Sequence, residues 1–120
     1  MGGLNRRTRS TIHVKHRWVG YHCWRDAPDE VAFLRDTHRH VFHLTASIEV
    51  RHDDRELEFF LVQRVIRGAL RDEIDHGGKS CETIALELIS VLEAKYGADR
   101  LYAVTVSEDG ENAATVETEI

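Results

Sequence analysis

The sequence predicts an α+β domain in the order β-β-α-α-β-β, with a four-stranded antiparallel sheet and both helices on one of its faces. Three observations carry this. Apolar residues alternate with polar ones over residues 11–24 and 37–51, recur at helical spacing from 56 to 96, and alternate again from 101 onward. At 120 residues, 42% hydrophobic and 31% charged, the chain suits one hydrophobic core. A flexible leader is expected over residues 1–10 and a single domain over 11–120.

The first strand is predicted from Thr11 to Trp24, where the even positions read Ile12, Val14, His16, Trp18, Gly20, His22 and Trp24. Residues 25–36, which contain Pro28, form a loop, with a short helical turn from Glu30 to Leu34. The second strand runs from Thr37 to Arg51, and the polar run His52-Asp53-Asp54-Arg55 closes it. The first helix is predicted from Glu56 to Ile74 on the stripe Phe59, Val62, Ile66, Leu70 and Ile74, and His76-Gly77-Gly78 ends it. Ser80 is the expected N-cap of the second helix, which Gly97 stops. Leu101 to Glu108 and Ala113 to Ile120 are strands joined at Asp109-Gly110. Such a sheet has open edges, so copies of the chain are expected to pair as an oligomer.

The net charge of −5 argues against a protein built mainly to grip nucleic acid. Basic residues crowd the N-terminal part (Arg6, Arg7, Arg9, Lys15, Arg17), where a solvated terminal tail is the simplest reading and a basic arm that touches phosphate is the other. No apolar run approaches the ~20 residues of a membrane span. Cys23 and Cys81 are not in a Cys-x-x-Cys arrangement, so a reduced, cytoplasmic setting is expected.

The chemistry lies in the histidines. His22 ends the first strand, while His38 and His40 open the second. All three fall at even positions, so their side chains project from the same face as the apolar positions Trp18, Phe42 and Leu44. Three convergent imidazoles that leave a fourth position free are what a catalytic Zn2+ requires. The same residues can instead line a polar rim. Asp75 and His76 form a sequential acid/base pair or, alternatively, a helix C-cap. Glu82 suits a helix N-terminus, and Glu108 is either a bidentate acceptor or an ordinary turn acid. Cys23, next to His22, is expected to alternate to the opposite face.

These residues, in this order, resemble the 6-pyruvoyl-tetrahydropterin synthase / 6-carboxy-tetrahydropterin synthase family over about residues 12 to 117. The family's strand-one histidine corresponds to His22 and its His-Gly-His to His38-Arg39-His40. Its acidic-aromatic step corresponds to Glu58-Phe59, its Asp-His pair to Asp75-His76, its helix-two glutamate to Glu82, and its pterin-anchoring glutamate to Glu108. The resemblance implies the tunnelling fold, an oligomeric barrel and a homo-oligomer, a hexamer. It also implies Zn2+ on His22, His38 and His40, proton transfer by His76 with Asp75, and a pterin held by Glu108 and Glu82. The reaction implied is a lyase step on 7,8-dihydroneopterin triphosphate or a related pterin. Departures from the pattern are also plain. Leu34 stands where carboxy-forming members carry a cysteine, Ala32 stands at the spacing used by pyruvoyl-forming members, and neither can abstract a proton. The alternative is a divergent protein of this fold that binds a pterin or purine, or serves as a structural component.

Overall fold

The computed structural model describes residues 7–119, so most of the expected leader lies outside the described residues. Its elements are strand β1 (Ser10–His22), a 3-10 helix (Asp29–Leu34), β2 (His38–Val50), helix α1 (Phe59–Ala69), β3 (Ile74–Asp75), α2 (Cys81–Tyr96), β4 (Tyr102–Glu108) and β5 (Asn112–Glu117). The α+β architecture agrees with the sequence reading, with one addition. The sheet has five strands in the order β3-β1-β2-β4-β5, because the two-residue β3 joins β1 in parallel. The sheet is open rather than closed into a barrel.

The long β1–β2 hairpin sets the frame. Its antiparallel register opposes Trp18 to Phe42, Gly20 to His40 and His22 to His38. β4 then pairs with β2 so that Phe42 faces Glu108 and Leu44 faces Val106. Side chains alternate, so the even positions of all three strands share one face. That face carries the core: Val14, Trp18, Phe42, Leu44, Ala46, Ile48, Val104 and Val106 are buried with Val62 and Ile66 of α1 and Ile84, Leu88, Ile89 and Leu92 of α2. Both helices therefore lie over the same side of the sheet that presents the histidines.

The first helix is shorter than its pattern. The apolar positions Ile66, Leu70 and Ile74 continue at helical spacing, yet α1 ends at Ala69. The next residues instead satisfy the open edge of β1, whose backbone groups need partners. Asp72 Oδ1 accepts from Val19 N at 2.9 Å, Glu73 N donates to the Val19 carbonyl at 2.8 Å, and His76 N donates to that of Tyr21 at 2.7 Å. His76-Gly77-Gly78 thus follows a strand rather than ending a helix. The helix starts are locally capped, α2 where expected at Ser80 and α1 at Phe59 rather than at Glu56. Glu58 caps α1 by accepting from Phe60 N and Leu61 N, and Ser80 caps α2 by accepting from Thr83 N.

Gly20 is required by packing. A Cβ there would lie 2.9 Å from Phe42 Cε2 and 3.1 Å from Trp18 Nε1, both on rings fixed in the core. Gly20→Ala is expected to destabilise the fold by about 2 kcal/mol through overpacking. A thermal melt of the variant checks this, and an unchanged midpoint would contradict it.

Candidate metal centre

His22, His38, His40 and Glu108 each offer one ligand atom, and these four atoms lie within 4.8 Å of one another. The strand register brings them together. His22 and His38 are directly opposed at the end of the hairpin where the connecting segment joins β1 to β2, His40 is one step inward on the same face, and Glu108 enters from the end of β4. The rings pack edge-on, with centroids 4.6 to 5.1 Å apart. Below them the Phe42 ring touches His22 and His40 at centroid distances of 5.4 and 5.6 Å and forms an apolar floor.

Each imidazole is oriented by its other nitrogen. His22 Nδ1 lies 2.9 Å from the Lys79 carbonyl, His38 Nδ1 lies 2.8 Å from the Asp36 carbonyl, and His40 Nδ1 lies 2.7 Å from Asp109 Oδ2. A carbonyl oxygen only accepts, so Nδ1 donates and the neutral ring carries its lone pair on Nε2. Among the described residues, the Nε2 atoms of all three rings are buried without a hydrogen-bond partner. Glu108 Oε2 comes within 3.1 Å of His22 Nε2 and 2.9 Å of His40 Nε2, but these approaches are close in distance without being aligned as hydrogen bonds. Inward lone pairs beside a carboxylate repel unless a cation stands between them or a ring is protonated. Three imidazolium ions at this spacing would repel one another strongly. The three imidazole nitrogens thus fit a divalent metal such as zinc with a fourth position left open, and the Glu108 carboxylate beside them adds a favourable negative charge.

Asp109 is the residue that the sequence reading passed over, treating it only as part of a turn. Its φ of 57° and that of Gly110, 72°, make the tight β4–β5 turn, closed by Glu111 N donating to the Glu108 carbonyl. This conformation aims the Asp109 carboxylate back at β2, where Oδ1 also accepts from Val41 N at 2.8 Å. The hydrogen bonds from His40 and Val41 hold its carboxyl below the usual range. A carboxylate behind a ligating histidine raises the ligand's basicity. Asp109→Asn, which keeps the turn because Asn tolerates this backbone, is expected to weaken metal affinity roughly tenfold or more. Chelator competition measures this.

The cluster opens onto a cleft of about 390 Å³ lined by residues that include His22, His38, Leu34, Cys81, Glu82 and Glu108. Leu34 lines this cleft and is chemically inert. Cys23 lines the same cleft, contrary to the expected alternation, because β1 ends at His22 and the chain turns there. Cys81 lines the cleft together with Glu82 and Glu108. Burial first, then the charges of Glu108 and Glu82, push it up to about 12, so it remains protonated at neutral pH.

Asp75 and His76 point to other partners. Asp75 Oδ1 accepts from Gly77 N at 2.8 Å. His76 is buried and its Nε2 accepts from the Trp18 indole N–H at 3.0 Å, so its own proton sits on Nδ1. Burial, followed by the charge of Lys79, lowers its pKa and favours the neutral ring. The Phe42 ring, 5.4 Å from His76 between centroids, also contacts His22 and His40.

No family model matches the sequence, and no curated protein matches it. Solved structures do match. The 6-pyruvoyl tetrahydropterin synthase of Caenorhabditis elegans superposes with a TM-score of 0.71 at 12% identity, over 97% of this chain and 100% of that one. A catalytic-residue mutant of the Plasmodium vivax 6-pyruvoyltetrahydropterin synthase gives 0.70 at 14% identity, over 95% and 100%. The Plasmodium falciparum synthase gives 0.69 at 12%, over 95% and 100%. The agreement spans essentially the whole chain while the side chains differ at most positions. The chain therefore has the tunnelling fold of the 6-pyruvoyltetrahydropterin synthases, built from a sequence that has diverged far from theirs.

Proposed function

We propose that this protein is a zinc-dependent, pterin-synthase-like lyase that acts on 7,8-dihydroneopterin triphosphate or a related pterin. One observation carries the reading: three buried imidazole nitrogens without hydrogen-bond partners converge beside a carboxylate at the mouth of a small cleft. His22, His38 and His40 would hold the zinc. A zinc ion bound there supplies Lewis-acid polarisation of a substrate oxygen and so acidifies the neighbouring C–H. Glu108 and Glu82 line the cleft and offer carboxylates to the paired N–H groups of a pterin edge, an arrangement that suits bidentate acceptance. Trp24, half exposed on the same cleft, offers an apolar face to a flat ring. In this reading His76 with Asp75 moves protons, which requires His76 to exchange its bond to Trp18.

Incubating the zinc-loaded protein with 7,8-dihydroneopterin triphosphate and analysing products by chromatography and mass spectrometry tests this. Turnover that disappears in His38→Ala is the expected result, and the absence of turnover over hours would overturn the lyase reading.

A second reading is favoured by the inert Leu34, the protonated Cys81 and the Trp18–His76 bond. It is a protein that binds a pterin or purine in the cleft without a lyase step. Pterin binding without product would support it. Leu34→Cys separates the two readings, because restoring a thiol beside the cluster is expected to raise turnover at least about tenfold if the missing base alone limits the chemistry.

A further inference from the structure

A second cleft, of about 970 Å³, lies away from the histidine cluster, where α1 flanks β1. Arg17, on its wall, is about 17 Å from His22 at the rise of an extended strand. Lys15 and Arg17 of β1, Arg64 and Arg67 of α1, and Arg71 just beyond it all line this cleft. All five side chains are exposed, and among the described residues none of them is in an ion pair. The one carboxylate on the wall, Asp72, is engaged at the sheet edge through Val19 N. His16 and His43 add two imidazoles.

We propose that this cleft binds an anion carrying two or more linked phosphate groups. The chain as a whole has a charge of −5, so the concentration of cations is local and not a product of composition. Holding five like charges around one hollow costs electrostatic self-repulsion, which a polyanion relieves. Arginine predominates over lysine here, and a guanidinium fork matches phosphate oxygens in a way an ammonium does not. A position near a helix C-terminus accounts for a cation such as Arg67 by itself. It does not account for Lys15 and Arg17, which come from a strand. The volume is at the upper end of the range for small-molecule sites, about 300–1,000 Å³. No Phe, Tyr or Trp lines the walls, so the recognition is of charge and phosphate geometry, not of a base or ring.

Titration calorimetry of the full chain with sodium tripolyphosphate tests this inference independently of the metal centre. The expected result is one saturable site per chain, weakened at least about tenfold between about 50 and 200 mM salt. Arg64→Glu with Arg67→Glu should weaken it at least a further tenfold or so. Both residues are exposed, so circular dichroism should report an unchanged fold. His38→Ala should bind tripolyphosphate as the unaltered chain does. Absence of binding, binding that survives the double substitution, equal binding of sulfate at matched ionic strength, or loss in His38→Ala would each overturn the proposal. Two further outcomes also overturn it by naming another occupant. One is an RNA duplex that binds the cleft more than tenfold tighter than tripolyphosphate does. The other is a fall in oligomeric mass in the double variant, which would mean that a second copy covers the cleft.

Discussion

Protein prepared with zinc is expected to hold about one ion per chain, and His40→Ala to hold less than about a tenth of that under chelator challenge. The expectation rests on the three Nε2 atoms, each buried and unpartnered, with Nδ1 fixed by an acceptor. If roughly 12 kcal/mol of zinc binding divides evenly among the three imidazoles, one lost imidazole costs about 4 kcal/mol, a factor of roughly a thousand. Metal that binds only the folded chain also raises its melting temperature, so chelator should lower the midpoint of the unaltered protein and leave His40→Ala unmoved. Elemental analysis and paired melts read both effects. His76→Ala serves as the contrast, because its Nε2 is occupied by Trp18, and the variant should retain the metal. A chain without metal whose melting ignores chelator would mean that protonation, with Glu108 as counter-charge, satisfies the cluster instead.

Glu56→Gln is expected to lower stability by about 3 kcal/mol and the melting midpoint by roughly 10 °C. Glu56 accepts from Arg100 Nη1 at 2.9 Å and Nη2 at 2.8 Å, and from Arg51 N at 2.8 Å. Arg100 is only 3% exposed, and Nη1 also donates to the Glu49 carbonyl at 3.1 Å. The pair ties the approach to α1 to the start of β4 and the end of β2. Removing the carboxylate's charge strands a guanidinium in the interior, which costs more than the pair's net worth. The Arg100 hydrogen bonds hold the Glu56 carboxyl down at about 2, against an ordinary 4.5. A depressed folded value means that the stabilisation is complete above about pH 4.5 and is lost as pH falls towards 2. Melts across that window should show the unaltered protein losing stability more steeply than Glu56→Gln. Parallel acid limbs would contradict the assignment.

The histidine cluster was legible because it depends on two-residue periodicity, which fixes the face of a side chain without reference to anything distant. His22, His38 and His40 share parity, and an antiparallel hairpin keeps that parity across its register. The caps at Ser80 and the turn at Asp109-Gly110 were legible for the same reason, since their chemistry is complete within a few residues. Asp75 and His76 illustrate the opposite case. Adjacent in sequence, they read as an acid/base pair, yet Asp75 ends the two-residue β3 and accepts from Gly77 N, while His76 just beyond it is buried against the Trp18 indole.

By itself the chain determined its strand faces, the start of α2, its α+β order and the donor set of three histidines, all set by local spacing and backbone preference. Tertiary structure decided where α1 stops, because the apolar run through Ile74 fits a helix equally well until the unpaired edge of β1 claims Glu73 and His76. It also decided that Asp109 supports His40, that both cysteines enter the cleft, and that cations from a strand and a helix share one hollow. Each of these depends on groups far apart in the chain meeting in space, and such a meeting leaves no period in the sequence.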